Sequence, residues 1–224
     1  MAQTVLITGA GRGLGRELTR HYARAGARVI GCCRDTSVLP GDMAGDVHPM
    51  QLDLADGHSI GRLADDLAGQ PIDILINNGA LRGATGGLDD VSATDFNAVM
   101  AVNVLAPLFL VRALRPNLML GHSRKVAMIS SRAGSMAEGL DADGDYAYRC
   151  SKAALNMATR KLAFDDPALT FLLFHPGWLK TDMGGPEAEL PVSEAAEGLI
   201  AQISKASQKD SGSFQTWDGQ SVGW

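Results

Sequence analysis

The loop Thr8-Gly9-Ala10-Gly11-Arg12-Gly13-Leu14-Gly15 constrains this fold most. It joins an apolar run, Val5-Leu6-Ile7, to an amphipathic segment that begins at Gly13. Glycines between a strand and a helix let backbone approach a pyrophosphate, and the helix N-terminus adds unpaired N–H groups and the positive end of its dipole. The pattern G-x-G-x-x-G fails, because Arg16 stands where its third glycine belongs; Gly9, Gly13 and Gly15 instead give T-G-x-x-x-G-x-G. A tight structural turn is the competing reading, and the strand and helix flanks count against it.

The same alternation continues along the chain. Apolar runs at 5–8, 28–32, 47–52, 72–77, 125–130, 170–175 and 213–216 predict strands, and segments of helical period at 13–25, 59–67, 94–114, 148–164 and 193–204 predict helices between them. Val5-Leu6-Ile7 and Ile74-Leu75-Ile76 are apolar on both faces, as strands covered by helices on both sides must be. The expectation is an α/β fold of Rossmann type, doubly wound, with a seven-stranded parallel sheet and helices on both faces. With 224 residues, 46% of them hydrophobic, the chain supports one sizeable core. No repeat, low-complexity tract or linker divides it, so residues 1–224 read as a single dinucleotide-binding domain.

Charge excludes some partners. The net charge of −5 and the lack of a Lys/Arg cluster argue against nucleic acid and acidic lipid. A strand candidate beginning close to Met1 leaves no room for a cleavable leader. The richest apolar stretch, 96–114, is broken by Asn97, Asn103, Pro107 and Arg112, which argues against a membrane span. Of three cysteines, Cys32 and Cys33 are adjacent and poorly placed to bridge, and Cys150 is left over, as expected of free thiols in a cytoplasmic protein.

Tyr148 and Lys152 stand four apart in a predicted helix, so both side chains reach one face. A phenol titrates near 10, and a neighbouring ammonium stabilises phenolate, moving the group toward service as a general acid or base. Such a pair is common on any helix surface; its weight comes from the glycine loop that precedes it. At the end of the second strand, where a site for NAD places an acid against the ribose hydroxyls, the chain has Cys32-Cys33-Arg34. Arg34, with Arg12, suits a 2′-phosphate, so NADP is expected as cofactor. Asp35 follows directly and keeps NAD as the alternative. Asp53, followed by Leu54 after the third strand, is a candidate for the adenine end, against its reading as a turn former.

These pieces, with Asn77-Asn78-Gly79-Ala80, Val102-Asn103-Val104, Ile129-Ser130-Ser131 and Pro176-Gly177…Thr181, occur in an order that resembles the short-chain dehydrogenase/reductase family over nearly the whole chain. The stretches 146–156 and 175–185 are similar to its C-factor and carbonyl reductase branch. The resemblance implies a tetrad. Tyr148 would be the acid/base, Lys152 would bind the nicotinamide ribose and depress the phenol's pKa, Ser131 would polarise the substrate oxygen, and Asn103 would hold a water in a proton relay. It further implies that Thr181 bonds the nicotinamide carboxamide, that Asn78 lines the cofactor and braces the sheet, and that Gly79, Ala80, Pro176 and Gly177 contact the cofactor.

Two departures from the family stand out. Its Asn-Asn-Ala-Gly is here Asn-Asn-Gly-Ala, which shifts the flexible residue and any cofactor contact there. Ser131 stands 17 residues before Tyr148, a longer interval than the common one, so 132–147 reads as an insertion. Counting back by the common spacing lands on Ser135; Ser131 is preferred because it ends the strand motif and is followed by x-x-Gly.

The insertion carries Glu138, Asp141, Asp143 and Asp145 without the spacing of a calcium loop, so a solvated acidic loop and no metal are expected. His175 reads as a packing histidine. The activity implied is NADP-dependent reduction of a ketone or aldehyde, a small-molecule carbonyl substrate. Two alternatives remain: a dinucleotide-binding signalling protein of C-factor type, and a sugar-nucleotide epimerase, which the small C-terminal region disfavours. Helices 94–114 and 148–164 resemble the pair through which family members form homodimers and homotetramers.

Overall fold

Side chains alternate across a strand, so a strand covered on both faces feeds two cores. The computed structural model describes residues 2–39, 45–140 and 144–224. All five residues of β1 (Thr4–Thr8) are buried. Val5 and Ile7 meet Leu14 and Leu18 of α1 (Gly13–Arg24) and Leu199 and Ile203 of α6 (Val192–Lys205) on one face. On the other face Leu6 joins Ile60 and Leu63 of α2 (Gly57–Asp66), Leu110 and Leu114 of α4 (Ala106–Leu120) and Leu155 of α5 (Tyr146–Asp165). Register keeps this sorting intact, since Leu6 pairs with Ile30 on one side and Leu75 on the other, both in the same core.

The remaining strands are β2 (Arg28–Cys33), β3 (Asp46–Gln51), β4 (Ile74–Asn77), β5 (Lys125–Ile129), β6 (Thr170–His175) and β7 (Ser213–Thr216). They form one seven-stranded sheet in the order β3-β2-β1-β4-β5-β6-β7, with every neighbouring pair parallel. Strand order reverses between β1 and β4, and the carboxyl ends flanking such a switch point are where an open α/β sheet offers a crevice. Pro49 sits in β3, an edge strand, where its missing N–H costs no ladder bond on the open side. At the other edge the chain turns after β7 and comes back over it. Val222 N–H donates to Phe214 O at 3.0 Å, and Ser221 bridges Gln215 antiparallel.

Several element ends differ from the sequence reading, each for a local reason. The helix expected over 94–114 begins as α3 (Ala93–Met100), passes through a π turn at Ala101–Leu105 and continues as α4 to Leu120. The helix runs past the expected end at 114 and carries Pro116 internally. Asn117 holds the last turn in place, its Nδ2 donating to Leu67 O at 2.6 Å and Gln70 O at 2.9 Å. By length and composition, Ala93–Leu120 also passes for a membrane span. Its Leu110, Val111, Leu114 and Leu118 are packed in the core, which makes it the core helix of this fold. The amino ends of the strands are tied by Asp73, which accepts from Thr4 N–H at 2.8 Å and His122 N–H at 2.7 Å.

Candidate active site

The site grows from the carboxyl ends of the strands. Gly9 has φ +66, and a Cβ there would lie 2.8 Å from the Gly79 Cα, so β1 and β4 approach too closely for any side chain. A Cβ at Gly15 would stand 2.2 Å from the Gly9 carbonyl oxygen; α1 leaves the loop against its backbone. Gly11 and Gly13 complete the loop, Gly13 facing Thr181, while Leu14 turns into the core. The N-cap, Arg12, makes no side-chain capping bond, and the first turn of α1 carries no acid. The leading N–H groups thus lack a side-chain partner, and the donor set fits a phosphate.

Asn78 and Thr8 lock β4 to β1. Thr8 Oγ1 accepts from the N–H groups of Asn78 and Gly79, both at 3.0 Å, and Asn78 Nδ2 donates to Thr8 O at 2.9 Å. A Cβ at Gly79 would sit 2.5 Å from Leu54 Cδ1, the movable end of that side chain. Leu54 thereby closes on the loop floor.

At the ribose end of this crevice Arg34 is exposed after β2 and makes no hydrogen bond or ion pair to another described residue. Arg12, expected to join it, instead pairs with Asp182 at 3.3 Å, a solvent-exposed contact that exchanges easily. Asp35 is committed: its Oδ1 accepts from Ser37 N–H at 3.0 Å and Ser37 Oγ at 2.6 Å, bonds that hold its carboxyl below the usual range. The Asp53 Oδ1 accepts from Ala55 N–H at 3.0 Å, the turn-forming arrangement.

Tyr148, Lys152, Ser131 and Asn103 converge where β4, β5 and α5 meet. Ser131 caps the short 3-10 turn Arg132–Gly134, accepting from Ala133 N–H at 3.1 Å, and its hydroxyl acts on the Tyr148 phenol, favouring the ionised form. The Ser135 hydroxyl is spent elsewhere, donating to Gly223 O at 2.7 Å and accepting from Glu138 N–H at 3.0 Å. Ser131 is therefore the serine that meets the phenol. Lys152 is buried, its Nζ 2.8 Å from Ile129 O and 5.5 Å from the Tyr148 ring centre.

Burial dominates the acidity of the phenol in the protein alone. Burial raises the Tyr148 pKa above its ordinary value, opposed by the Ser131 hydrogen bond, and burial pulls Lys152 down to about 8. The ammonium spends its short bond on the Ile129 carbonyl, so in the protein alone it does not depress the phenol.

Asn103 lies in the π turn, a distortion frequent at functional sites. Its side chain is committed to protein: Oδ1 accepts from Leu81 N–H at 2.8 Å, and Nδ2 donates to Leu81 O at 2.8 Å and Ser151 Oγ at 2.9 Å. Asn156, one turn beyond Lys152, also escapes the sequence reading of the site. It accepts from Ser130 Oγ at 2.5 Å and donates to Gly134 O at 3.1 Å, fixing the turn that carries Ser131. A buried asparagine in mid-helix was the available signal.

The sequence reading omits Arg82 and Arg149 and counts Asp145 only among the acids of a solvated loop. Asp145 is buried at the start of α5, its Oδ1 2.6 Å from Arg149 Nε and its Oδ2 3.5 Å from Arg82. Arg82 also donates to Met183 O at 3.2 Å, joining the segment after β4 to the segment after β6. The expectation of a solvated acidic loop therefore fails at Asp145, and Glu138 pairs with Arg132 at 3.4 Å; Asp141 and Asp143 lie outside the described residues. Among the described residues no group of acids, histidines and cysteines is placed to hold a metal. After β6, Pro176 leads into Gly177 (φ +89), and Thr181 Oγ1 accepts from Gly184 N–H at 3.2 Å. His175 Nδ1 accepts from Arg132 N–H at 3.3 Å.

The chain is similar in sequence and fold to known proteins. A family model described as short chain dehydrogenase matches residues 3–190. C-signal of Myxococcus xanthus is 42% identical over 156 residues, covering 69% of this chain and 93% of that protein. A 1-hydroxy-2-glutathionyl-2-methyl-3-butene dehydrogenase of Rhodococcus sp. (strain AD45) is 31% identical, covering 99% of each. Among solved structures, an NADPH-bound carbonyl reductase from chicken fatty liver superposes with a TM-score of 0.90 at 31% identity, covering 100% of this chain and 99% of that one.

Proposed function

Because this chain belongs to the short-chain dehydrogenase family, we propose that it is an NADP-dependent oxidoreductase that reduces a ketone or aldehyde, with Tyr148 as the proton donor. The observation that carries the reading is the Tyr148 phenol, made more acidic by the Ser131 hydroxyl, beside a buried Lys152 whose Nζ stands 5.5 Å from its ring centre, at the same sheet edge as an uncapped, glycine-lined helix start.

The cofactor, when bound, supplies the hydride. Gly9, Gly11, Gly13, Leu14 and Gly15 would hold its phosphates against α1, and Asp53, Leu54, Asn78, Gly79 and Ala80 the wall next to them. Pro176, Gly177 and Thr181 would border the nicotinamide end. Ser131 orients the carbonyl oxygen toward the phenol. Tyr148 gives that oxygen its proton while the carbon gains a hydrogen with its electron pair. The ketone leaves as an alcohol, and the phenolate recovers a proton from solvent. Burial keeps the phenol protonated through neutral pH, the form reduction needs. With both Nδ2 protons of Asn103 donated to protein, the water of the relay would be held by an Asn103 acceptor.

Arg34 supports NADP, as does the engagement of Asp35 by Ser37, which withdraws the acid NAD would use. Arg34→Ala is expected to weaken NADPH binding about 10- to 100-fold while leaving NADH binding nearly unchanged; equal losses on titration reject the assignment. Cys32, Cys33 and Cys150, all free thiols, support a cytoplasmic location. Exposed Leu105, Met157 and Phe164 on the α4 and α5 side support pairing into a homodimer.

Tyr148→Phe tests the main reading. Turnover of a carbonyl panel should fall about a hundredfold to ten-thousandfold while NADPH still binds; full turnover overturns it. The similarity to C-signal favours a second reading, a dinucleotide-binding signalling protein. A signalling phenotype that survives Tyr148→Phe selects it.

A further inference from the structure

An aspartate at a helix start normally turns its carboxylate onto the free N–H groups of the first turn. Asp145, the N-cap of α5, makes no such bond. Its buried carboxylate instead meets Arg149 Nε at 2.6 Å through Oδ1 and Arg82 Nη2 at 3.5 Å through Oδ2. A buried ion pair is a weak source of stability, because desolvating the charges offsets much of their attraction. Diverting the cap to the arginines therefore points to another use.

The backbone that carries Arg82 is fixed. Asn103 accepts from Leu81 N–H and donates to Leu81 O, both at 2.8 Å, so Arg82 leaves a clamped peptide. Its Nη1 donates to Met183 O at 3.2 Å while Nη2 reaches Asp145. One planar guanidinium thus joins the segment after β4, the head of α5 and the segment after β6.

Tyr148 stands three residues beyond Asp145, on the same side of that first turn. Burial and then the Ser131 hydroxyl act most on its phenol; after them, the Asp145 carboxylate holds the proton on and the Arg82 guanidinium loosens it. Of the other charges on α5 and on the Ser131 turn packed against it, Lys152 donates to Ile129 O, Arg149 pairs with Asp145, and Arg132 pairs with Glu138.

We propose that Arg82 is a positioning residue for the proton donor: clamped through Leu81 and braced on Met183 O, it balances the Asp145 carboxylate beside Tyr148 and holds the head of α5 in place. The proposal rests on the reductase reading above and adds to it a residue that acts through Tyr148.

The test titrates Tyr148 in the full chain, read as tyrosinate absorbance with the Tyr148→Phe trace subtracted, and follows kcat for the best carbonyl of the panel with NADPH. Arg82→Gln leaves the carboxylate less balanced, so the midpoint should rise by about one pH unit. Reduction at neutral pH should slow about tenfold in kcat, because the phenol is then a poorer acid. Asp145→Asn should move the midpoint the opposite way, down by about one pH unit. Arg82→Lys keeps the charge but not the fork, so it should restore the midpoint and only part of kcat. A merely structural arginine would lower kcat without opposed shifts. Midpoints that stay put, or that move the same way in Arg82→Gln and Asp145→Asn, overturn the proposal and leave the reductase reading standing. Where Arg82→Gln does not fold, an unmoved midpoint in Arg82→Lys with a lowered one in Asp145→Asn upholds the proposal, and any other result overturns it. Opposed shifts in a protein that turns over no carbonyl overturn the reductase reading and retain the charge balance at Tyr148.

Discussion

At the scale of single residues, His175 shows burial outweighing basicity. Desolvation first, and the nearby Arg132 second, pull its pKa from 6.5 to about 4. The ring is neutral in the fold, and its Nδ1 holds the Arg132 N–H beside Ser131. Because the folded pKa is depressed, unfolding takes up a proton between pH 6.5 and 4. His175 therefore contributes stability that is present above 6.5 and lost as pH falls through that window. Chemical denaturation should show a loss on the order of 2–3 kcal/mol across it, and His175→Gln should flatten that part of the profile. Tyr148 carries the opposite lesson for activity. With its phenol raised, reduction should hold through neutral pH while alcohol oxidation, which starts from phenolate, should climb on the alkaline side; pH–rate profiles in both directions check this. Sequence spacing put Tyr148 and Lys152 on one helix face, but it could not show the Ile129 carbonyl that takes the ammonium or the burial that raises the phenol.

At the scale of elements, helix and strand centres were readable because their apolar periods are strong, and the ends were not because side chains decide them. The helix expected to end at 114 continues to Leu120, and Asn117 there binds two carbonyls of the segment after α2. Asn117→Ala would leave Leu67 O and Gln70 O without that donor. A loss of about 2–4 kcal/mol in urea denaturation is expected, well beyond the effect of an ordinary surface change. The start of α5 at Tyr146 was likewise hidden, since the buried Asp145 with its two arginines draws on residues distant in sequence. The π turn carrying Asn103 has no signature in composition at all.

At the scale of the whole molecule, the parallel sheet places every candidate site residue at one edge and leaves the other to structural work. The alternation of apolar runs made this legible, because strand direction follows from the helical connections between strands. Asp73 serves the quiet edge, so Asp73→Asn should lower stability by about 2–4 kcal/mol while leaving NADPH affinity and kcat near the parent values. The two lateral borders of the sheet behave differently from its ends. On β3 a proline denies incoming chains a backbone donor, and beyond β7 the polypeptide doubles back and occupies the ladder itself. Neighbouring molecules in a crowded or concentrated solution thus meet one border already occupied and another short of a donor, which hinders edge-to-edge aggregation.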